Sequence, residues 1–201
     1  MIDISVKKVL SIDLEKQEAE VKSFIDLNKY FGGTGLGLKF LEIYKDKNPL
    51  IFSVGPLNGF FPYTSKTSIV LEKDSAVEDI YIGGSLSTRI KFAGVDSIVL
   101  LGVSKEEIIL DIQNSVVNFK NKDTEPQSLG LPGKRSGIYF EGDKLLCDQY
   151  FTTPEYYLET IFKEKNIKGI TITGTEIFSP KNFDDYKKLY LEILDRKLDL
   201  R

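Results

Sequence analysis

The chain has 201 residues, 41% of them apolar and 28% charged, enough for a core of ordinary size in one large domain or two small ones. Its 27 basic and 30 acidic residues leave a net charge of −3 with no basic stripe, which argues against a nucleic-acid partner. Histidine is absent and Cys147 is the single cysteine, so imidazole bases, histidine-based triads, a chain-borne iron–sulfur cluster and a four-ligand structural zinc site are all excluded.

No apolar run approaches the roughly 18 residues that span a bilayer, so no membrane partner is expected. The N-terminal segment alternates and turns acidic too early for a signal peptide, and the expected location is cytoplasmic. Any chemistry must come from carboxylates, Lys, Tyr, Ser or Thr, or from a cofactor brought in.

Lys7 to Leu14 and Glu18 to Ser23 read as a β-hairpin with Val9, Ile12 and Val21 as its apolar members. Gly32-Gly33-Thr34-Gly35-Leu36-Gly37 leads into a helix, with Thr34 as N-cap and Leu38, Leu41 and Tyr44 on the apolar face. The glycine spacing does not fit a dinucleotide fingerprint and the preceding strand is poor, so these glycines are assigned to close packing at the helix start. Leu50 to Val54 is a buried strand ending at Gly55-Pro56-Leu57-Asn58-Gly59. Phe60 and Phe61 follow in a loop, either as a lid or interface or packed down on the sheet, and Thr67 to Glu72 is again a strand.

The stretch Tyr81 to Gly102 organises the chain. Gly83-Gly84-Ser85 opens a helical segment, Ser85 to Phe92, with Leu86, Ile90 and Phe92 apolar; Ala93-Gly94 breaks it and Ser97 to Leu101 is a short buried strand. A glycine pair before a helix start either exposes unpartnered N–H groups to an anion or simply makes a tight turn, and both readings stand at this level.

A second hairpin is expected from Ile108–Ile112 and Val116–Phe119, and a third from Gly137–Glu141 and Lys144–Phe151 about Gly142-Asp143. Cys147, in an alternating apolar stretch, reads as a small buried hydrophobe in preference to a reactive thiol. Thr153 caps a helix starting at Pro154 with Leu158, Ile161 and Phe162 apolar; residues 166–174 return to strand; Pro180 starts a last helix carrying Phe183, Tyr186, Leu189, Ile193 and Leu194. VDSIVLLGVS at 95–104 has a counterpart in IKGITITGTE at 167–176. The expectation is therefore an α+β fold of two packed β-sheets with flanking helices, internally duplicated about a pseudo-two-fold, in one domain with halves of about 1–104 and 105–201.

Five motifs in order carry a family resemblance: Gly32-Gly33-Thr34-Gly35-Leu36, Gly55-Pro56-Leu57-Asn58-Gly59, Gly83-Gly84, Lys91-Phe92-Ala93-Gly94-Val95-Asp96 and Lys165-Asn166-Ile167-Lys168-Gly169-Ile170. With them the chain resembles the N-terminal domain of the aldehyde ferredoxin oxidoreductase family of tungstopterin enzymes. The resemblance implies a two-sheet base on which a tungsten or molybdenum bis-pterin sits. Helical domains further along would supply the remaining cofactor contacts and the cysteines of a [4Fe–4S] cluster. The positions it assigns to cofactor binding are Lys66, Thr67, Tyr81, Gly83, Gly84 and Ser85.

The departures from the pattern are specific. Thr34 stands where the family has an arginine, and Ser65-Lys66-Thr67 where it has a glycine-glycine-arginine loop, keeping a charge but losing the bidentate fork. Tyr81 stands where an asparagine helps hold a magnesium ion, for which a phenol is a poorer ligand. Pro154-Glu155-Tyr156-Tyr157 replaces a glycine-rich segment.

Two functions follow as expectations. The first is a cofactor-base domain or subunit of an aldehyde-oxidising, ferredoxin-linked tungsten or molybdenum enzyme, inactive alone and completed by a separate subunit carrying the helical, cysteine-bearing domains. The second is a non-catalytic scaffold or binding module that kept the fold without the pterin. Tyr150, Tyr156, Tyr157 and the Phe60-Phe61 loop are candidates for a covered surface, and a homodimer through them is a further expectation.

Overall fold

The computed structural model describes residues 6–27, 29–30, 32–61, 63–151, 157–177 and 182–198. Twelve strands among them form two six-stranded sheets. The first contains β1 (Lys7–Asp13), β2 (Glu18–Phe24), β3 (Leu50–Val54), β4 (Thr67–Lys73), β5 (Ala76–Ile82) and β6 (Ser97–Leu101), in the order β2-β1-β6-β3-β4-β5. The second contains β7 (Ile108–Gln113), β8 (Val116–Asn121), β9 (Arg135–Glu141), β10 (Lys144–Cys147), β11 (Tyr150–Phe151) and β12 (Ile167–Thr173), in the order β11-β10-β9-β12-β7-β8. Replacing each strand of the first sheet by the one six places later reproduces the second. In both, the opening hairpin strand runs parallel to the last strand and every other pairing is antiparallel. The two mixed sheets and their flanking helices are the architecture anticipated from the echo between 95–104 and 167–176.

Among the described residues four α-helices accompany the sheets: α1 (Gly32–Ile43), α2 (Leu86–Phe92), α3 (Tyr157–Glu164) and α4 (Phe183–Leu198). The main core lies between the sheets, where alternate residues of β1, β3, β4, β7 and β12 meet α2 and α3; Leu10, Phe52, Ile69, Leu110, Ile170, Ile90 and Phe162 are all buried there. A second core lies on the other face of the first sheet, where α1 packs on Val9, Ile51, Val70 and Val99. With both faces covered, β3 and β6 are buried at every position, which is why they read as continuous apolar runs.

Several details differ from the reading of the sequence. Helix α1 begins at Gly32, so Thr34 lies inside it and not at its N-cap. Its buried face is Leu36, Gly37, Phe40 and Leu41, continued by Tyr44, while Leu38 is exposed. The close-packing role holds for two of these four glycines: a Cβ on Gly33 would lie 2.8 Å from the Ser53 carbonyl and one on Gly37 2.6 Å from Val70 Cγ2, whereas Gly32 and Gly35 have no neighbour within 4 Å of a built Cβ. Strand β5 was not anticipated; the alternation of AVEDIYI is masked by three acidic or polar residues, and the Asp74-Ser75 turn with positive φ joins it to β4. Lys144–Phe151 is two strands, not one, because Asp148 and Gln149 have φ of 49° and 72° and turn the chain back on itself. Phe60 and Phe61 pack under α4: Phe61 and Tyr186 ring centroids are 5.2 Å apart and the Tyr186 hydroxyl donates to the Phe60 carbonyl at 2.5 Å. Thr153, Pro154 and Pro180 lie outside the described residues.

Lys165 joins the two halves. Its side chain is 1% exposed and Nζ donates to the carbonyls of Asn48 (2.5 Å) and Gly102 (3.0 Å). Burial lowers its pKa from 10.5 to about 8, the nearby Glu164 charge opposing. Between those two pH values the unfolded chain holds a proton that the folded chain has released, so the contribution of Lys165 to stability rises with pH through the window. Cys147, whose thiol burial pushes up to about 12, opposes it above about pH 9. The contribution of Lys165 from about pH 8 to 10.5 is on the order of 3 kcal/mol. Urea titrations of the wild type and of Lys165→Met across that window isolate it: the wild type should gain stability relative to the variant as pH rises.

Candidate functional site

The residues singled out in the sequence fall at one end of the first sheet, where β4 begins and β5 runs into α2. Gly84 has φ +86°, a left-handed conformation suited to glycine, and no atom lies within 4 Å of a Cβ built on Gly83 or Gly84. Ser85 precedes α2 with helical φ and ψ and makes no side-chain cap bond. Its hydroxyl instead donates to a carboxylate oxygen of Asp148, 63 residues away. That carboxylate also accepts from Ser136 Oγ at 2.8 Å and from the Gly137 amide at 2.9 Å. Asp148 thus acts as a resident anion beside the glycine pair, and the seven-residue α2 is too short to offer a strong terminal field of its own.

Lys66 is exposed, with Nζ 5.8 Å from the centroid of the Tyr81 ring. Thr67 is fully buried and faces the inter-sheet core; its hydroxyl has no hydrogen-bond partner. Tyr81 is half exposed, and its hydroxyl lies 2.5 Å from Thr34 Oγ1. Thr34 also donates to Asp79 Oδ2 at 2.8 Å, and Ser68 donates to Asp79 Oδ1 at 2.6 Å. The Thr34 bond favours the Tyr81 phenolate, yet the bond to Asp79, burial and the Asp79 charge together raise the Tyr81 pKa above its ordinary value. Thr34 and Tyr81 are the two positions where the family resemblance placed an arginine and an asparagine. Here they bond each other and are closed off by Asp79.

Asp79 and Asp148 escaped the sequence reading. Asp79 had a local signal, since it lies two residues before Tyr81 and must share its face of a strand, but that strand was not recognised. Asp148 had none, because its contact with Ser85 arises only when the two halves pack. Asn58 was legible as part of a motif but not as an anchor; it is fully buried and Nδ2 donates to the Ser87 carbonyl at 2.5 Å, fixing the first turn of α2. Pro154, Glu155 and Tyr156 lie outside the described residues. Cys147 is 6% exposed and its thiol is pushed up to about 12, mostly by burial, as befits a core residue.

The two-sheet architecture is shared with a solved structure titled "Active site complex BamBC of Benzoyl Coenzyme A reductase in complex with 1,5 Dienoyl-CoA". The TM-score is 0.78 over 96% of this chain and 34% of that one, at 19% identity, a likeness of fold alone. A sequence model of the aldehyde ferredoxin oxidoreductase N-terminal domain matches residues 9–134. The chain belongs to the aldehyde ferredoxin oxidoreductase family through that N-terminal domain.

Among curated relatives it is 31% identical over 129 residues to an aliphatic sulfonate oxidoreductase, WOR-like subunit, of Pyrococcus furiosus. It is 27% and 26% identical, each over 127 residues, to tungsten-containing aldehyde ferredoxin oxidoreductases of Pyrococcus abyssi and Pyrococcus horikoshii. These matches cover 57% of this chain and only 20–21% of the relatives, so the chain spans about a fifth of their length. The motif at Lys165–Ile170 lies beyond the 9–134 match; there the likeness is carried by the fold.

A phosphate-bearing bis-pterin needs cations or N–H donors turned towards it. Of the six positions that the resemblance assigns to it, one carries a positive charge, Lys66. Asp148 holds the Ser85 hydroxyl, Asp79 closes the Thr34–Tyr81 pair, and the Thr67 hydroxyl faces the core. This donor set does not fit such a group. Among the described residues no group of three or more acidic or cysteine side chains is arranged to hold a metal ion, and no helix is long and apolar enough to cross a membrane.

Proposed function

We propose that this chain is the base module of an aldehyde ferredoxin oxidoreductase-family assembly, inactive alone, on which helical, cysteine-bearing domains from outside these 201 residues dock. In this reading it serves as a scaffold and does not itself grip a pterin through Lys66, Thr67 and Tyr81 to Ser85. The observation that carries it is the pair of internal closures, Asp148 on Ser85 and Asp79 on Thr34 and Tyr81. Each fills a donor that an anionic cofactor would need, with a charge of the same sign as the cofactor's phosphates. The whole-family activity, ferredoxin-linked oxidation of an aldehyde, then belongs to the completed assembly.

A second reading, in which the module does hold a tungsten or molybdenum bis-pterin, is favoured by the open space over Gly83 and Gly84 and by the tungsten-containing relatives. Gly83→Ala separates the two readings. Gly83 has no neighbour within 4 Å of a built Cβ and no left-handed φ, so the methyl group is harmless to folding. It would obstruct only a ligand lying against the backbone.

The docking half of the proposal is tested by purifying the tagged chain from its native source and identifying what remains bound at near-stoichiometric level. A chain or segment bearing the family's helical, cysteine-rich domains is the expected result. An isolated monomer or a bare homodimer at cellular concentration contradicts it.

A further inference from the structure

Strand β2 closes one side of the first sheet, pairing with β1 and leaving its other edge without a strand beside it. Such an edge is a template for a further strand, and proteins commonly guard it with proline, a bulge or unmatched charges. β2 has no proline, and its register against β1 runs unbroken from Glu18 to Phe24. Five of its seven residues are exposed, among them Val21 at the centre of the strand, 44% open to solvent.

The strand sequence EAEVKSF is matched to itself about Val21. In antiparallel pairing with a second copy centred there, Val21 lies opposite Val21, Ala19 opposite Ser23, and Glu20 opposite Lys22. Residues opposite each other share a face of the sheet. Glu20 and Lys22 sit across from Ser11 and Val9 of β1, and their charged atoms already approach to 2.6 Å along the strand. A second copy completes a square of four charges of alternating sign, each with two opposite neighbours.

Other registers within Glu18–Phe24 lack this match. Centring on Glu20 or Lys22 sets that residue against itself, and centring on Ala19 sets Glu18 against Glu20. Centring on Ser23 leaves Lys22 opposite Phe24. The far edge strand of the same sheet, β5, carries only acidic charges, Glu78 and Asp79, so it has no salt bridge to offer a second copy.

We propose that β2 is a homodimer interface, joining the first sheets of two copies into one continuous sheet about a two-fold axis at Val21. Backbone hydrogen bonds between the two edges hold the strands together, and the alternating charges fix the register. The proposal does not depend on the function proposed above. β2 and β5 are opposite edges of the sheet, so the dimer leaves the surface around β5 and Gly83 to Ser85 free for a docking domain. It also uses a different surface from Tyr150 and the Phe60-Phe61 loop.

Sedimentation equilibrium of the 201-residue chain from about 1 µM to 0.5 mM reads the association, and the native sequence is expected to dimerise within that range. Glu20→Lys sets lysine opposite lysine twice in each dimer, and Lys22→Glu sets glutamate opposite glutamate twice. Each should weaken the dimer about tenfold or more. Folding is not at stake, because the Glu20 and Lys22 side chains are 61% and 42% exposed. Mixed in equal amounts, the two variants bring two lysines of one chain against two glutamates of the other, and the mixture should regain the association that each lost alone. A monomer throughout the range, a dimer that neither substitution weakens, or variants that stay apart when mixed would each overturn the proposal.

Discussion

Phe52→Ala is expected to lower the unfolding free energy by about 3–5 kcal/mol, with an unchanged urea m-value. Phe52 is 1% exposed in the middle of β3, paired with Ile69 and Ile98, and its ring fills the space between the two sheets. Truncation loses the transfer energy of the ring and leaves a cavity that two hydrogen-bonded sheets cannot collapse to fill. Val116→Ala is the control. Val116 is 61% exposed at the start of the edge strand β8 and should cost no more than about 0.5 kcal/mol. Comparable losses for the two variants would mean that the sheets do not share the core described.

Gly174→Val should cost about 3 kcal/mol or more, lowering the melting temperature by roughly 6–12 °C for a chain of this size. A Cβ at Gly174 would sit 2.6 Å from the Phe92 carbonyl carbon and 2.7 Å from the Ala93 nitrogen. Both belong to the end of α2, so the clash is between backbones of opposite halves. Neither side can retreat cheaply. The Ala93 amide is bonded to the Arg89 carbonyl at 2.8 Å, and the Glu176 amide to the Phe92 carbonyl at 2.8 Å. A scanning calorimetry trace with an unshifted midpoint would show that the halves do not meet there.

The motifs that made the family legible have structural work in this chain. Lys91 and Asp96 form a largely buried ion pair at 2.8 Å, and Asp96 also accepts from the Lys8 amide at 2.9 Å, so the Lys91–Asp96 stretch locks the end of α2 to β1. Asn58 fixes the start of α2, Gly33 lets α1 approach β3 and β4, and Asn166 Nδ2 donates to the Ser104 carbonyl at 2.7 Å. Apart from Lys91–Asp96 these contacts join distant segments; what could be read in order was the local periodic pattern of α2 and of most strands, together with the repeat between halves. The candidate site was legible only in part. Gly83, Gly84 and Ser85 stood out, but Asp148, which takes up the Ser85 hydroxyl, comes from the turn before β11, and Asp79, which closes the Thr34–Tyr81 pair, comes from β5. Contacts such as Ser85 with Asp148 exist only after the halves fold against each other, and no local pattern announces them.

The same division fits a chain that keeps the family's fold with other residues at the positions that the resemblance assigns to a cofactor. The residues at the fold-determining motifs are buried or bonded across elements, whereas Lys66, Tyr81, Gly83 and Gly84 are exposed and contribute little to the core. Changes at exposed loop positions are tolerated by the fold and alter only what the surface binds.

The most direct measurement is elemental and pterin analysis of the chain purified from its native source, before and after separation from whatever accompanies it. If the base module does not itself grip the cofactor, tungsten, molybdenum and pterin fluorescence should be absent from the separated chain and follow the partner fraction. One tungsten or molybdenum with its pterin per separated chain, lost on Gly83→Ala, would contradict the account.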